Sequence, residues 1–293
     1  MSSIKTTNVE NEKNKIEKGT LYLVATPIGN LADLSERAVK VLSEVDFIAA
    51  EDTRNSLKLL SYLGISKPMV SYFEHNKRER GLCIADRLKA GESCALITDA
   101  GTPAISDPGE DIVALCAEQS IPVSSIPGAC AGIVALTLSG LPTGRFCFEG
   151  FLSANKGERR ERLGELESEK RTMIFHEAPH KLKTTLADMA SCFGADRRIS
   201  LCRELTKKNE EVLRMTLSEA VAYYEENAPR GEYVLVVEGL SKEMQKELFW
   251  QEMSVKEHVE FYMTNGLQKM EAIKVCAKDR GVHKSIIYKE INN

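Results

Sequence analysis

The residues with chemical potential in this chain fall into four short segments, each following an apolar run. Ala25-Thr26-Pro27-Ile28-Gly29-Asn30 is a tight polar turn, and its place at the end of a strand allows either a structural turn or a ligand loop. Ile97–Gly109 carries Asp99, Gly101, Thr102, Pro103, Ser106 and Pro108 within a few residues. There a carboxylate at a strand end can accept hydrogen bonds from an amine or ribose. Gly101 permits close backbone approach, and the prolines stiffen the loop, a pattern that favours ligand binding over mere connection. Its plain alternative is an Asp-Gly turn with Asp107 capping a helix opened by Pro108. Ile126-Pro127-Gly128-Ala129-Cys130-Ala131 is small enough either to admit a flat ligand or to let two domains pack tightly. The fourth group gathers acids and bases: Glu149, His176-Glu177, Arg203 with Lys207 and Lys208, and Glu232. Among these, Glu177 or His176 could accept a proton and the cations could hold a phosphate, while a Glu at a helix start serves equally as a dipole partner.

Several chemistries lack their signatures. The chain has no GxGxxG, no Walker GK[ST], no GxSxG and no HExxH, and its five histidines show no metal-ligand spacing. The eight cysteines include no CxxC pair and sit mostly in apolar runs, as small buried hydrophobes do in a reducing compartment.

The elements that must position these residues follow from periodicity. Strands are predicted at Leu21–Ala25, Phe47–Ala50, Met69–Tyr72, Cys94–Thr98 and Val123–Ile126. Helices lie between them at Ser35–Leu42, Thr53–Leu63, Lys77–Lys89 and Asp107–Gln119. This alternation specifies a parallel, helix-covered sheet. A second set predicts strands at Phe146–Glu149, Thr172–His176, Ile199–Arg203, Val212–Met215 and Tyr233–Glu238. Its helices are Lys156–Glu169, Pro179–Cys192 and Ser218–Asn227, with a small-residue helix at Ala129–Ser139 bridging the two sheets. Helices at Val255–Thr264, Gln268–Asp279 and Lys284–Ile291 complete a helix–turn–helix-like end, which fits a nucleic-acid module or a plain helical cap. The expected organisation is a disordered polar tail over 1–18, α/β domains over 19–127 and 128–240, and a helical domain over 241–293.

Composition sets the bounds. With 43% hydrophobic and 28% charged residues over 293 positions, the chain reads as soluble, with no signal-like or membrane-spanning stretch. A net charge of −4 argues against holding nucleic acid by bulk charge but leaves room for local basic patches. Candidate patches are Lys156, Arg159, Arg160 and Arg162, then Lys207 and Lys208, then Lys269, Lys274, Lys278 and Lys284; solvated helix faces look the same.

Seven blocks in order, LYLVATPIGNLADLSERAVKVL, AAEDTR, ITDAGTPAISDPG, FCFEGFL, FHEAPHKL, RELTKKNEE and RGEYVLVVEG, resemble the ribosomal RNA small subunit methyltransferase I family of the tetrapyrrole methylase superfamily. The resemblance spans roughly Gly19–Gly239 and extends to the helical end. It implies two α/β domains of tetrapyrrole-methylase type with a cleft between them, in a cytoplasmic homodimer. It also implies methyl transfer from S-adenosylmethionine to the ribose 2′-hydroxyl of a cytidine in the decoding region of 16S rRNA. By position in the matching blocks, Pro27, Asp99, Ala100, Gly101, Ile105 and Ser106 would line the donor site, joined by Ala129 and Cys130, then Leu205 and Glu232. A base for the hydroxyl proton would be Glu177, with Glu149 or Asp99 behind it. The chain departs from the family pattern at Ala32, where Gly is frequent, at His176, where Tyr is common, and at Lys181, where Arg is frequent. The competing readings are a small-molecule methylase of the same superfamily and a non-catalytic RNA-binding protein.

Overall fold

A computed structural model describes residues 14–241, 250, 253–280 and 282–292. Of the tail expected over 1–18, residues 1–13 lie outside the described residues. The remainder is seated on the fold: Ile16 packs against the first core and the Glu17 N–H donates to the Tyr22 hydroxyl at 2.8 Å.

The first sheet is built from β1 (Leu21–Val24), β2 (Phe47–Ala50), β3 (Met69–Ser71), β4 (Cys94–Ile97) and β5 (Val123–Ile126), all parallel, in the order β3-β2-β4-β1-β5. Helices α1 (Glu36–Glu44), α2 (Thr53–Tyr62), α3 (Lys77–Lys89) and α4 (Glu110–Glu118) connect them. Every residue of β2 and β4 is buried, because parallel strands are covered on both faces and carry unbroken apolar runs instead of alternation. Helix α1 shows the complementary logic, with Ala38, Val41 and Leu42 on one buried stripe and the Ser35 hydroxyl accepting from the Ala38 N–H. The helix expected from Asp107 begins only at Glu110, after Gly109 at φ 152°, so Asp107 is no cap and belongs to the loop.

The second sheet, in the order β6-β7-β10-β8-β9, is mixed. Strands β6 (Phe146–Phe151) and β7 (Thr172–Glu177) pair in parallel. Strands β8 (Arg198–Arg203), β9 (Glu211–Thr216) and β10 (Tyr233–Val237) make the antiparallel remainder. On one face lie α6 (Lys156–Leu166), α7 (Pro179–Phe193) and α8 (Leu217–Glu226), burying Leu163, Leu182, Met189 and Tyr224 among others. The other face carries α5 (Ala131–Leu138), whose Ala135 and Leu136 pack on Ile174, Cys202 and Val236. Ile28, from the first loop, joins this same cluster, so the link between the halves is made by α5 and that loop together.

Three further helices, α9 (Val255–Thr264), α10 (Lys269–Asp279) and α11 (Lys284–Asn292), share a core of Val259, Ile273, Cys276 and Ile287. A capping box at Ser254 and Glu257 starts α9, as the sequence Ser-Val-Lys-Glu dictates. Among the described residues, no helix is long and apolar enough to cross a membrane.

Candidate active site

The polar loops of the first half leave the carboxyl ends of β1, β4 and β5, three neighbouring strands at the point where the chain order reverses across the sheet. Open parallel sheets bind ligands at such a crevice. The loops are fastened to one another by main-chain atoms and hydroxyls. The Thr26 N–H donates to the Gly101 carbonyl at 2.8 Å, and the Gly101 N–H returns to the Thr26 carbonyl at 3.0 Å. The Thr26 hydroxyl donates to the Thr98 carbonyl and the Thr102 hydroxyl to the Ala129 carbonyl at 2.9 Å.

Across the crevice the second half comes very close. A Cβ on Gly29 would collide with Cγ of Lys207 and stand 3.0 Å from the Thr206 hydroxyl. On the other flank a Cβ on Gly150 would lie 3.4 Å from the Ser106 hydroxyl. The loops at both contacts hold non-glycine residues in the left-handed region: Ala104 (φ 68°) and Ser106 (φ 63°) on one side, Glu204 (φ 52°) and Thr206 (φ 65°) on the other. Such conformations cost on the order of 1–3 kcal/mol each and collect where function over-determines the backbone.

Between these contacts lies a cavity of about 530 Å³ with residues of both halves in its wall. Its first wall is acidic. Glu51, Asp99 and Asp107 all line it, and Asn55 donates to Asp99 at 3.0 Å. Burial, and then the Glu51 charge, push the Asp107 carboxyl up to about 6. Glu51 is likewise raised, by burial above all. Three crowded carboxylates in a half-dry cavity are complementary to a cation. The opposite wall is apolar and aromatic, with Phe148, Phe151, Cys202, Leu205 and Val234 around His176. Burial lowers the His176 pKa and keeps the ring neutral, and its Nε2 is buried without a hydrogen-bond partner.

The expected donor-site residues Asp99, Ala100, Gly101, Ile105, Ser106, Cys130, Leu205 and Glu232 all line this cavity. Pro27 and Ala129 do not; Ala129 contributes its carbonyl as the anchor for Thr102. Of the expected catalytic carboxylates, Glu149 is outside the cavity lining, its side chain buried in an ion pair with Arg162 at 2.6 Å. Glu177 lines the cavity, but its carboxylate is turned to the start of α7. There Oε1 accepts from the Ala178 N–H at 2.8 Å and is ion-paired with Lys181 at 3.2 Å, and Oε2 accepts from the Thr185 hydroxyl at 2.5 Å. A carboxylate so placed holds the start of a helix in position.

Several expected phosphate contacts are also spoken for. Arg159 is buried against Asp188 at 2.8 Å, with Arg160 on the same carboxylate at 2.9 Å, so these cations tie α6 to α7. Lys207 bridges Glu204 and Glu232 at 2.9 and 2.7 Å, and Arg203 pairs with Glu211. Sequence reasoning missed Glu51 and Asp107 as cavity residues, and Phe148 and Phe151 as its rings. The signal for Asp107 was present in the crowded Asp99–Gly109 loop, which reads as a ligand loop, although Asp107 itself reads there only as a helix cap.

Residues 20–221 match the family model described as tetrapyrrole (corrin/porphyrin) methylases. The chain is 50% identical over 273 residues to the ribosomal RNA small subunit methyltransferase I of Halalkalibacterium halodurans, covering 93% of this chain and 94% of the relative. Among solved structures it superposes on diphthine synthase with a TM-score of 0.58 at 14% identity, over 79% of this chain and 94% of that one. It also superposes on a Thermus thermophilus uroporphyrin-III C-methyltransferase complexed with S-adenosyl homocysteine, with a TM-score of 0.51 at 17% identity, over 74% and 96%. The low-identity pairs share the fold alone, whereas the end-to-end identity to the ribosomal enzyme, together with the block order and the two-sheet cavity, places this chain in the ribosomal RNA small subunit methyltransferase I family on the tetrapyrrole methylase fold.

Proposed function

We propose that this protein transfers a methyl group from S-adenosylmethionine to the ribose 2′-hydroxyl of a cytidine in the decoding region of 16S rRNA. The observation that carries this reading is the cavity between the sheets, acidic on one wall and ring-lined on the other, in a member of this family. The acidic wall fits the donor. Glu51 and Asp99 offer counter-charge to its ammonium and sulfonium, and the Ala100–Gly101 backbone and Leu205 offer close contact to its flat part. S-adenosylmethionine would supply a methyl activated by positive sulfur, the acceptor oxygen gaining the O–C bond as the C–S bond breaks and its electron pair goes to sulfur. The chain's task is then alignment and removal of the hydroxyl proton. We assign that proton to Asp107, a carboxyl lining the cavity that burial and the Glu51 charge push up to about 6. Glu177 and Lys181 fix the start of α7, and the two close contacts at Gly29 and Gly150 hold the halves at one separation.

We read the protein further as a cytoplasmic homodimer. Eight free cysteines suit a reducing compartment, and exposed Ile133 and Phe146 on adjoining α5 and β6 give apolar surface for a second copy to cover. The functional test is transfer of labelled methyl to small subunits that lack native methylation, followed by nucleoside analysis. Labelled 2′-O-methylcytidine is the expected product. Donor binding without transfer to RNA would favour a small-molecule methylase, and absence of donor binding would end the enzyme reading.

A further inference from the structure

The ring-lined wall owes its form to an irregularity in β6. In a regular strand Phe148 and Phe151, three residues apart, would face opposite sides of the sheet. The register instead skips between Phe148 and Gly150, so that Phe148 pairs with Ile174 and Phe151 with His176. Gly150 takes φ 62° to make the bulge. Both phenylalanines thereby flank the same imidazole, at 5.2 and 5.3 Å between ring centres and nearly edge-on. Bulges commonly re-aim side chains beside active sites. Phe151 remains 58% exposed although it lines the cavity, and Lys181 stands 5.8 Å from its ring centre.

A ribose presented to this cavity arrives with its base attached, one glycosidic bond away. A base drawn from its stack needs a replacement surface, and aromatic side chains supply one. A partnerless buried nitrogen on a neutral imidazole needs a polar edge. We propose that this bulged end of the cavity is the subsite for the acceptor's nucleobase, which stacks on Phe151, packs beside Phe148 and hydrogen-bonds to His176 Nε2. The inference rests on the reading of the cavity as a ribose methylation site.

The test compares Phe151→Ala, Phe151→Trp and His176→Phe with the parent enzyme. It measures kcat/KM toward methylation-free small subunits and, separately, the Kd for S-adenosylmethionine by calorimetry. Phe151→Ala should lower kcat/KM about tenfold, within the range of base–aromatic stacking, while donor Kd stays within about twofold. Phe151→Trp should restore the rate. His176→Phe, which keeps a ring but removes the nitrogen, should cost about fivefold, as loss of one hydrogen bond does. Unchanged acceptor kinetics in Phe151→Ala, or donor Kd weakening in step, would overturn the assignment, the latter giving the rings to the donor. A parent enzyme that binds donor yet methylates no small subunit would show instead that the underlying reading is wrong, and this one with it.

Discussion

At the scale of single residues, Asp107 carries the most consequence. Its carboxyl is raised from 3.8 to about 6, chiefly because it is buried and then because Glu51 is near. Methyl transfer at saturating donor should therefore rise with pH through about 6 and level above it. Asp107→Asn should abolish that rise and slow transfer by about 100-fold, the low end of general-base contributions. A pH–rate profile of the two proteins checks both points, and an unchanged plateau in the variant would remove Asp107 from the role. The same shift acts on stability with the opposite benefit. Because the native pKa stands above the unfolded one, the folded protein binds more protons between pH about 4 and 6, and its stability falls as pH rises through that window. Asp107→Asn should thus melt higher than the parent at neutral pH, by thermal unfolding without ligand. A residue that costs stability while serving chemistry is the usual signature of a functional position.

At the scale of elements, the positions of the strands could be read because short apolar runs alternate along the chain with amphipathic helical stretches. Lys77–Lys89 and Val123–Ile126 emerge at the boundaries their sequence implies. What could not be read was direction. Glu177 and Asp107 are both acids at strand–helix junctions, and local sequence makes each look like the other's role. Only the fold shows Glu177 wrapped in donors from α7 and Asp107 facing the cavity. The bulge in β6 was equally hidden, since Phe-Glu-Gly-Phe fits a regular strand until β7 sets the register. The first loop had a visible glycine, but its reason lies far along the chain, where Leu205–Lys207 press against Gly29. Gly29→Ala has no room there and must also adopt φ 154°. It should loosen the packing between the halves and weaken donor binding by about tenfold or more, at a cost comparable to overpacking a core site. Calorimetric Kd measurement decides this; an affinity equal to the parent's would mean that the halves need no such closure.

At the scale of the molecule, an enzyme of net charge −4 must meet a polyanion with local cations only. The arginines of α6 are consumed internally by Asp188, Glu149 and Glu165. Exposed lysines on the helical unit, Lys274 on α10 and Lys284 and Lys289 on α11, are the better candidates for phosphate contact. The side chain of Lys278 lies outside what the structure describes. RNA binding should weaken steeply with salt, and replacing Lys284 and Lys289 together by Ala should flatten the log–log slope by roughly 1.4–1.8, about 0.7–0.9 for each phosphate no longer neutralised. Anisotropy titrations with a fluorescent rRNA fragment over a salt series measure it; identical slopes would place the RNA elsewhere.

The seam joining the loops after β1 and β4 has an implication for heredity. The reciprocal Thr26–Gly101 bridge is made of peptide groups alone, so most amino-acid replacements in these loops leave it intact. Mutation can then exchange the side chains that face the ligand while the frame presenting them persists. A lineage carrying this seam can drift far in sequence, and change what it accepts, without first having to reinvent how its loops are held.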